Sequence, residues 1–187
     1  MTNTKNFMKN YFILSFFFLL SVSGFSQSYL GNITKQVNFR EGPGSDYEII
    51  KSLKPGTQIF ISSLDTDDDF YNIVDIESDI EGYVHKSYVK IGKLISKSDG
   101  SFIQESGNSS SDDAEVRIIN DSDRTMTIKL NSTTYKFNPK EKQNLILPPG
   151  DYSYRASAPN VIPSVGVKNF KFNSAYKWTF YIVTRRR

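Results

Sequence analysis

The sequence contains no cysteine, and it has one histidine and one tryptophan among its 187 residues. Without cysteine the chain can form no disulfide, no thiolate metal site and no cysteine nucleophile. The single histidine, His85, cannot build a zinc site without other converging ligands, and no nucleophile-elbow motif accompanies it for a Ser-His-Asp triad. We therefore predict a protein that is not an enzyme, with no catalytic residues, no metal site and no cofactor.

One long hydrophobic run is present, at residues 11–20 (YFILSFFFLL). Lys5 and Lys9 precede it, and a small, polar stretch follows it, which is the order of a signal peptide cleaved before Gln27. The run is shorter than the ~20 residues of a membrane-spanning helix, which argues against the alternative of an uncleaved anchor. We expect residues 1–26 to be removed, leaving no stable membrane span and a mature protein in the periplasm or at the cell surface.

Charge is distributed unevenly along the mature chain. The net charge is −5 over residues 29–91, −2 over residues 92–113 and +8 over residues 114–187, which leaves +1 once residues 1–26 are removed. The asymmetry indicates either that the two halves attract each other or that the basic half meets an anionic surface. The arginines at 185–187 add to the basic excess, but an exposed tail is ordinarily solvated, and we predict no nucleic-acid partner.

Two stretches of alternating, β-prone sequence flank a polar middle. Residues 92–113 become rich in Ser, Gly, Asn and Asp toward their end and have little apolar sequence to bury. We predict that this segment is a flexible linker between a first domain, residues 29–91, and a second domain, residues 114–187. No amphipathic helix is expected in either domain, so the predicted fold class is all-β.

The first half is a series of short strand-like runs separated by turns. Gly42-Pro43-Gly44 and Lys54-Pro55-Gly56 are turn sequences, and between and after them lie runs such as QIFIS, YNIVDI and GYVH. Short strands at this spacing predict a small barrel.

The order of these motifs resembles the bacterial SH3 (SH3b) family. VNFREGPG, a run ending in LKPG, the strand FYNIVDI and the closing EGYVHKSYVK stand in the order and spacing of that family across residues 34–91. Phe70 and Tyr83 occupy positions where the family usually has Trp. The resemblance implies an SH3-like barrel, and we expect Phe70 and Tyr83 to be core residues rather than walls of a ligand groove.

In that family the loop after the first strand and the nearby aromatic residues flank a shallow groove. Aromatic side chains with a polar tip suit a peptide or glycan surface. On this basis we assign ligand binding to Arg40, Glu41, Tyr47, Tyr71, His85 and Tyr88.

Asp65, Asp67 and Asp69 have the spacing of the first three ligands of a calcium loop. An EF-hand loop also needs Gly at position 6 and Glu at position 12, and these positions hold Phe70 and Ile76. We therefore interpret the acidic run as a solvated loop.

The second half alternates with the period of β-strands. Met126, Ile128 and Leu130 share one strand face, as do Trp178 and Phe180 near the end. About seven such strands predict an antiparallel β-sandwich. The stretch LPPGDYSY resembles a hairpin of transthyretin-like and other immunoglobulin-like exported domains.

The SH3b resemblance implies a non-catalytic, exported cell-envelope binding or adaptor protein that recognises a peptidoglycan peptide or an envelope protein. The charge asymmetry supports an alternative, in which the protein is a structural or assembly element and the acidic barrel docks on the basic sandwich or on a partner subunit. An enzyme is the third hypothesis, and a pocket with several convergent polar groups would reopen it.

Overall fold

The computed structural model describes residues 27–100 and 102–182. The predicted signal peptide, residues 1–26, and the arginines at 185–187 lie outside the described residues. The described chain is all-β, as predicted, with one short 3-10 helix, η1, at Lys86–Tyr88. The strands are β1 Ser28–Ile33, β2 Val37–Arg40, β3 Ile49–Leu53, β4 Gln58–Ile61, β5 Phe70–Asp75, β6 Ile80–His85, β7 Val89–Ile95, β8 Gln104–Gly107, β9 Ala114–Asn120, β10 Met126–Leu130, β11 Thr133–Phe137, β12 Lys142–Leu147, β13 Gly150–Ala158, β14 Val161–Phe170 and β15 Ala175–Phe180.

The first seven strands form one curled antiparallel sheet in the order β3-β2-β6-β5-β4-β1-β7. Alternate residues point inward, and Phe39, Ile61, Ile73 and Val84 form a fully buried core. At Gly82 the chain of β6 passes so close to β2 that an added Cβ would lie 2.5 Å from the carbonyl oxygen of Arg40. The sheet is thus the small SH3-like barrel that the sequence predicts.

The buried carboxylate of Asp75 links two elements at one end of this barrel. Asp75, the last residue of β5, is fully buried and accepts hydrogen bonds from Nζ of Lys51 and from Oγ of Ser78. Burial raises the pKa of Asp75, but its bonds with Lys51 and Ser78 outweigh that effect and hold the pKa below its usual value. The pair joins β3 to the turn between β5 and β6.

The remaining eight strands form two facing four-stranded sheets. One has the order β11-β10-β13-β14 and the other β12-β9-β15-β8, with a single parallel pair, β15 and β9, in the second sheet. Trp178 and Tyr176 on β15 are buried between the sheets, and Phe137 and Phe170 pack against the same core. This arrangement is the β-sandwich that the alternating pattern predicts.

Residues 92–113 depart from the flexible linker that we predicted. β7 continues to Ile95 in the barrel, and β8 pairs with β15 at the edge of the sandwich. Ile103, only 1% exposed, belongs to the sandwich core, and its carbonyl accepts a bond from Nζ of Lys168. The composition of this segment did not indicate that it is ordered. Edge strands are ordered by backbone pairing and here by one buried side chain, and neither needs much apolar sequence.

The barrel and the sandwich are in contact. Phe60 and Val74 point away from the barrel core, yet they are 1% and 0% exposed. With Ile76 of the barrel and Val165 of β14 they form a separate apolar cluster. A backbone bond from the amide of Asn160 to the carbonyl of Ile76 also crosses the contact.

We expect Asp75→Asn to lower the free energy of unfolding by about 2 kcal/mol, less than a fully buried ion pair because Lys51 is one-third exposed. Urea unfolding at neutral pH measures the effect, and Ser78→Ala should cost about 1 kcal/mol. Because the folded-state pKa of Asp75 is depressed, the difference from wild type should persist above pH 3.8 and shrink as the pH falls through the folded-state value. Equal midpoints at neutral pH would show that the carboxylate is not needed.

Candidate functional site: a groove on the barrel and a charged contact beneath it

A groove of about 590 Å³ lies at one end of the barrel. Its walls come from β2, β3, the loop after β2, and the ends of β5 and β6 with the adjoining η1. The lining residues are Gln36, Val37, Asn38, Arg40, Ser45, Ser52, Phe70, His85, Ser87 and Tyr88. The groove therefore collects three of the six residues that we assigned to ligand binding: Arg40, His85 and Tyr88.

Three rings stack edge to face along one wall of the groove. The ring centroids of Phe70 and His85 lie 5.2 Å apart at 89°, and those of His85 and Tyr88 lie 6.0 Å apart at 73°. Phe70 and His85 are directly paired across β5 and β6, so the register of that hairpin fixes the first contact. The row offers an aromatic surface to a ligand.

The orientation of His85 is set by its own backbone turn. The backbone amide of Ser87 donates to Nδ1 of His85, and Ser87 Oγ lies 2.7 Å from the same nitrogen. Because an amide N–H can only donate, Nδ1 is the acceptor, and in the neutral ring the proton resides on Nε2. His85 caps η1 in this way. The same side chain lies at the end of β6 and lines the groove.

The loop after β2 holds Arg40 in place. Nη1 of Arg40 donates to the carbonyl oxygen of Tyr47 over 2.6 Å. The ring of Tyr47 packs over Gly42, where an added Cβ would come within 2.2 Å of the ring. Tyr47 itself, 46% exposed, does not line the groove, so its contribution is to support the loop and Arg40.

The structure separates two further predicted residues from the groove. Glu41 is exposed in the loop, and its backbone amide bonds to the carbonyl of Glu48. Tyr71 is half-buried and packs against the barrel core. Neither side chain is among the groove lining.

Our expectation that Phe70 is a core residue is wrong. Phe70 is half-buried and lines the groove, because it begins β5 at the rim and points to the outer face of the hairpin. Tyr83 is also half-buried rather than a core residue. A position that holds an aromatic residue in the family does not reveal by sequence which face of the strand it occupies.

Sequence reasoning missed the polar half of the groove. Gln36, Asn38 and Ser52 also line the groove, and Nε2 of Gln36 donates to Oγ of Ser52 over 3.1 Å. The alternation of β2 was the available signal, since it sends Asn38 and Arg40 to the face opposite Phe39.

The groove carries few charged groups. Its lining includes no Asp or Glu, and Arg40 is its one permanently charged side chain. Asp69, next to Phe70 in the chain, is bonded to Lys86 at 2.7 Å, and that bond lowers the pKa of Asp69. Within the described part of the chain, no three His, Cys, Asp or Glu residues converge in a way that could hold a metal ion.

A small curled barrel with a shallow aromatic groove defines a ligand-binding domain. Residues 35–90 match the family described as the bacterial SH3 domain, as the motif order predicts. No curated relative matches the chain. The bacterial SH3 domain is a binding domain, and its presence indicates a role in binding at the cell wall. Among the described residues, no helix is long and apolar enough to cross a membrane.

A second cluster of functional groups lies where the barrel meets the sandwich. Glu81 of β6 accepts from Nζ of Lys129 at 2.7 Å through one oxygen and from Nη2 of Arg155 at 2.8 Å through the other. Burial raises the pKa of Glu81, but Arg155 and Lys129 together outweigh burial and hold the pKa below its usual value. The acidic barrel and the basic sandwich thus meet through one carboxylate and two cations.

We expect Phe70→Ala to cost about 1–2 kcal/mol of stability, because the removed ring is only half-buried. Phe39→Ala is the matched control: its fully buried ring should cost about 3–5 kcal/mol. Chemical denaturation of both variants measures the two losses of stability. Equal losses would show that Phe70 is a core residue.

A double-mutant cycle on Glu81 and Arg155 should give a coupling energy of about 1 kcal/mol at neutral pH, since the pair is partly exposed. The depressed pKa of Glu81 means that this coupling is present above pH 4.5 and is lost as the pH falls through the folded-state value. Glu77→Ala is the control, because Glu77 is exposed in the adjacent turn. A coupling that persists at pH 2 would contradict the assignment.

Proposed function

We propose that this is an exported, non-catalytic cell-envelope protein whose barrel groove binds a peptide of peptidoglycan or of an envelope protein. The observation that carries the proposal is the aromatic row Phe70–His85–Tyr88 in a groove that is also lined by amide and hydroxyl side chains. Rings take up the apolar parts of a peptide, while Gln36 and Asn38 offer donors and acceptors to its backbone.

The charge of the groove favours an acidic peptide. Arg40 is positioned by the carbonyl of Tyr47, and no carboxylate lines the groove to neutralise it. A guanidinium that keeps further N–H donors is suited to a carboxylate, which it can bind through two parallel hydrogen bonds. A peptide with a free carboxylate is therefore the preferred ligand, and the exported protein would meet it in the periplasm or at the cell surface.

The contact between the two domains favours a second candidate, a structural or assembly role. The apolar cluster around Phe60 and Val74 and the ion pairs of Glu81 join the barrel to the sandwich. In this role the sandwich would present the barrel to a partner subunit in a fixed orientation.

Sedimentation with purified peptidoglycan at low salt tests the wall-binding form of the proposal. The protein lacking residues 1–26 should pellet with peptidoglycan. Tyr88→Ala, which removes a ring of the row, and Ser52→Trp, which fills the groove from an exposed position, should each weaken retention about tenfold.

Tyr181→Ala is the matched control, because Tyr181 is 71% exposed and lies in the second half of the chain. Its retention should equal that of wild type. Absence of retention for wild type would overturn the wall-binding form. Capture of a discrete envelope protein that Ser52→Trp no longer captures would then identify the adaptor form.

A further inference from the structure

A second and larger cavity, about 640 Å³, lies between the barrel and the sandwich. It continues outward from the ion pairs of Glu81, and both domains line it. The barrel side includes Ser62 and Asn72 on the outer face of its sheet, and the sandwich side includes Asn131, Ser153 and Val167. Its size falls within the range of roughly 300–1,000 Å³ typical of small-molecule sites.

The polar groups of this cleft are arranged by bonds that leave donors available. Ser62 Oγ donates to Oδ1 of Asn72 at 2.7 Å, so in the described structure the amide nitrogen of Asn72 keeps its N–H groups. Oδ1 of Asn131 likewise accepts from the amide and the hydroxyl of Ser153 at 3.0 and 3.1 Å. The side-chain oxygens of Asn72 and Asn131 therefore accept hydrogen bonds from the protein, while their amide nitrogens keep N–H donors for a ligand.

Three cations, Lys97, Lys129 and Arg155, and two carboxylates, Glu81 and Asp151, line the cleft, so its net charge is small. Lys129 and Arg155 are bonded to Glu81, and Asp151 accepts from Nδ2 of Asn169 at 2.8 Å. Nε of Arg155 is buried and has no hydrogen-bond partner in the described structure. The cleft thus combines amide donors, carboxylate acceptors and hydroxyls with a small net charge. The larger part of its surface is apolar and includes a strip formed by Val165 and Val167 beside Phe60 and Tyr152.

The geometry points to a neutral oligosaccharide as the ligand of this cleft. Sugar hydroxyls both donate and accept, so they need the mixture of groups that Asn72, Asn131, Asp151 and Ser153 provide, and the C–H faces of the rings fit the valine strip. A polyanion would meet Glu81 and Asp151 and would find Lys129 and Arg155 already paired with Glu81, and a purely apolar ligand would leave the amides unpaired. The cleft is separate from the groove at Tyr88, so this inference does not depend on the function proposed above.

Isothermal titration of the protein lacking residues 1–26 tests the inference, with β-1,4-linked tetramers of N-acetylglucosamine and of glucose as probes and tetra-alanine as the peptide arm. At least one sugar should bind with Kd of about 10 mM or tighter. Ser153→Tyr, which fills the cleft from an exposed position, should weaken that binding about tenfold or more. Ser110→Tyr is the matched control, because Ser110 is exposed and lines neither cavity.

Asn131→Asp supplies an independent variant. Asn131 has φ of 51°, which Asp tolerates, and the change keeps the acceptor for Ser153 while removing the amide donors. It should weaken sugar binding several-fold, whereas Tyr88→Ala in the groove should leave it unchanged. The inference is overturned if neither sugar binds or if only tetra-alanine binds. It is also overturned if Ser153→Tyr binds the sugar like wild type while Tyr88→Ala does not.

Discussion

The structure depends on one wall of the barrel being buried on both of its faces. A barrel strand ordinarily points alternate residues into the core and the others into water, but Phe60 on β4 and Val74 on β5 are buried although they point outward. Exposing two such side chains would cost about 1.5–3 kcal/mol each. The sandwich removes that surface from water, so the barrel and the sandwich are stabilised as a pair.

The opposite charges of the two halves contribute at one point of this contact. Glu81 forms two ion pairs across it, with Lys129 through one carboxylate oxygen and with Arg155 through the other. The surrounding contact is apolar, formed by Phe60, Val74 and Val165. The long-range attraction between charges of −5 and +8 is screened beyond about 8 Å in physiological salt. The domains are therefore joined by short-range contacts, the apolar cluster and the two ion pairs of Glu81.

The sequence predicted the strands and the two domains better than the contacts between them. An SH3-like barrel and a sandwich could be predicted from local signals alone. These signals were the strand alternation and the turns Gly42-Pro43-Gly44 and Lys54-Pro55-Gly56. They did not reveal that Ile103 belongs to the sandwich core, since one apolar residue in a polar stretch has no period. Arg40, His85 and Tyr88 were found through motif order, whereas the placement of Phe70 at the groove required the register of β5 and β6.

That same hairpin connects the two cavities. Phe70 pairs with His85 at the groove, and two residues further along each strand Asn72 pairs with Tyr83, followed by Val74 with Glu81. By strand alternation these three pairs share the outer face, about 7 Å apart from one pair to the next. Among the described elements, β5 and β6 alone line both the groove and the cleft. The register of this one hairpin therefore fixes side-chain positions in both cavities.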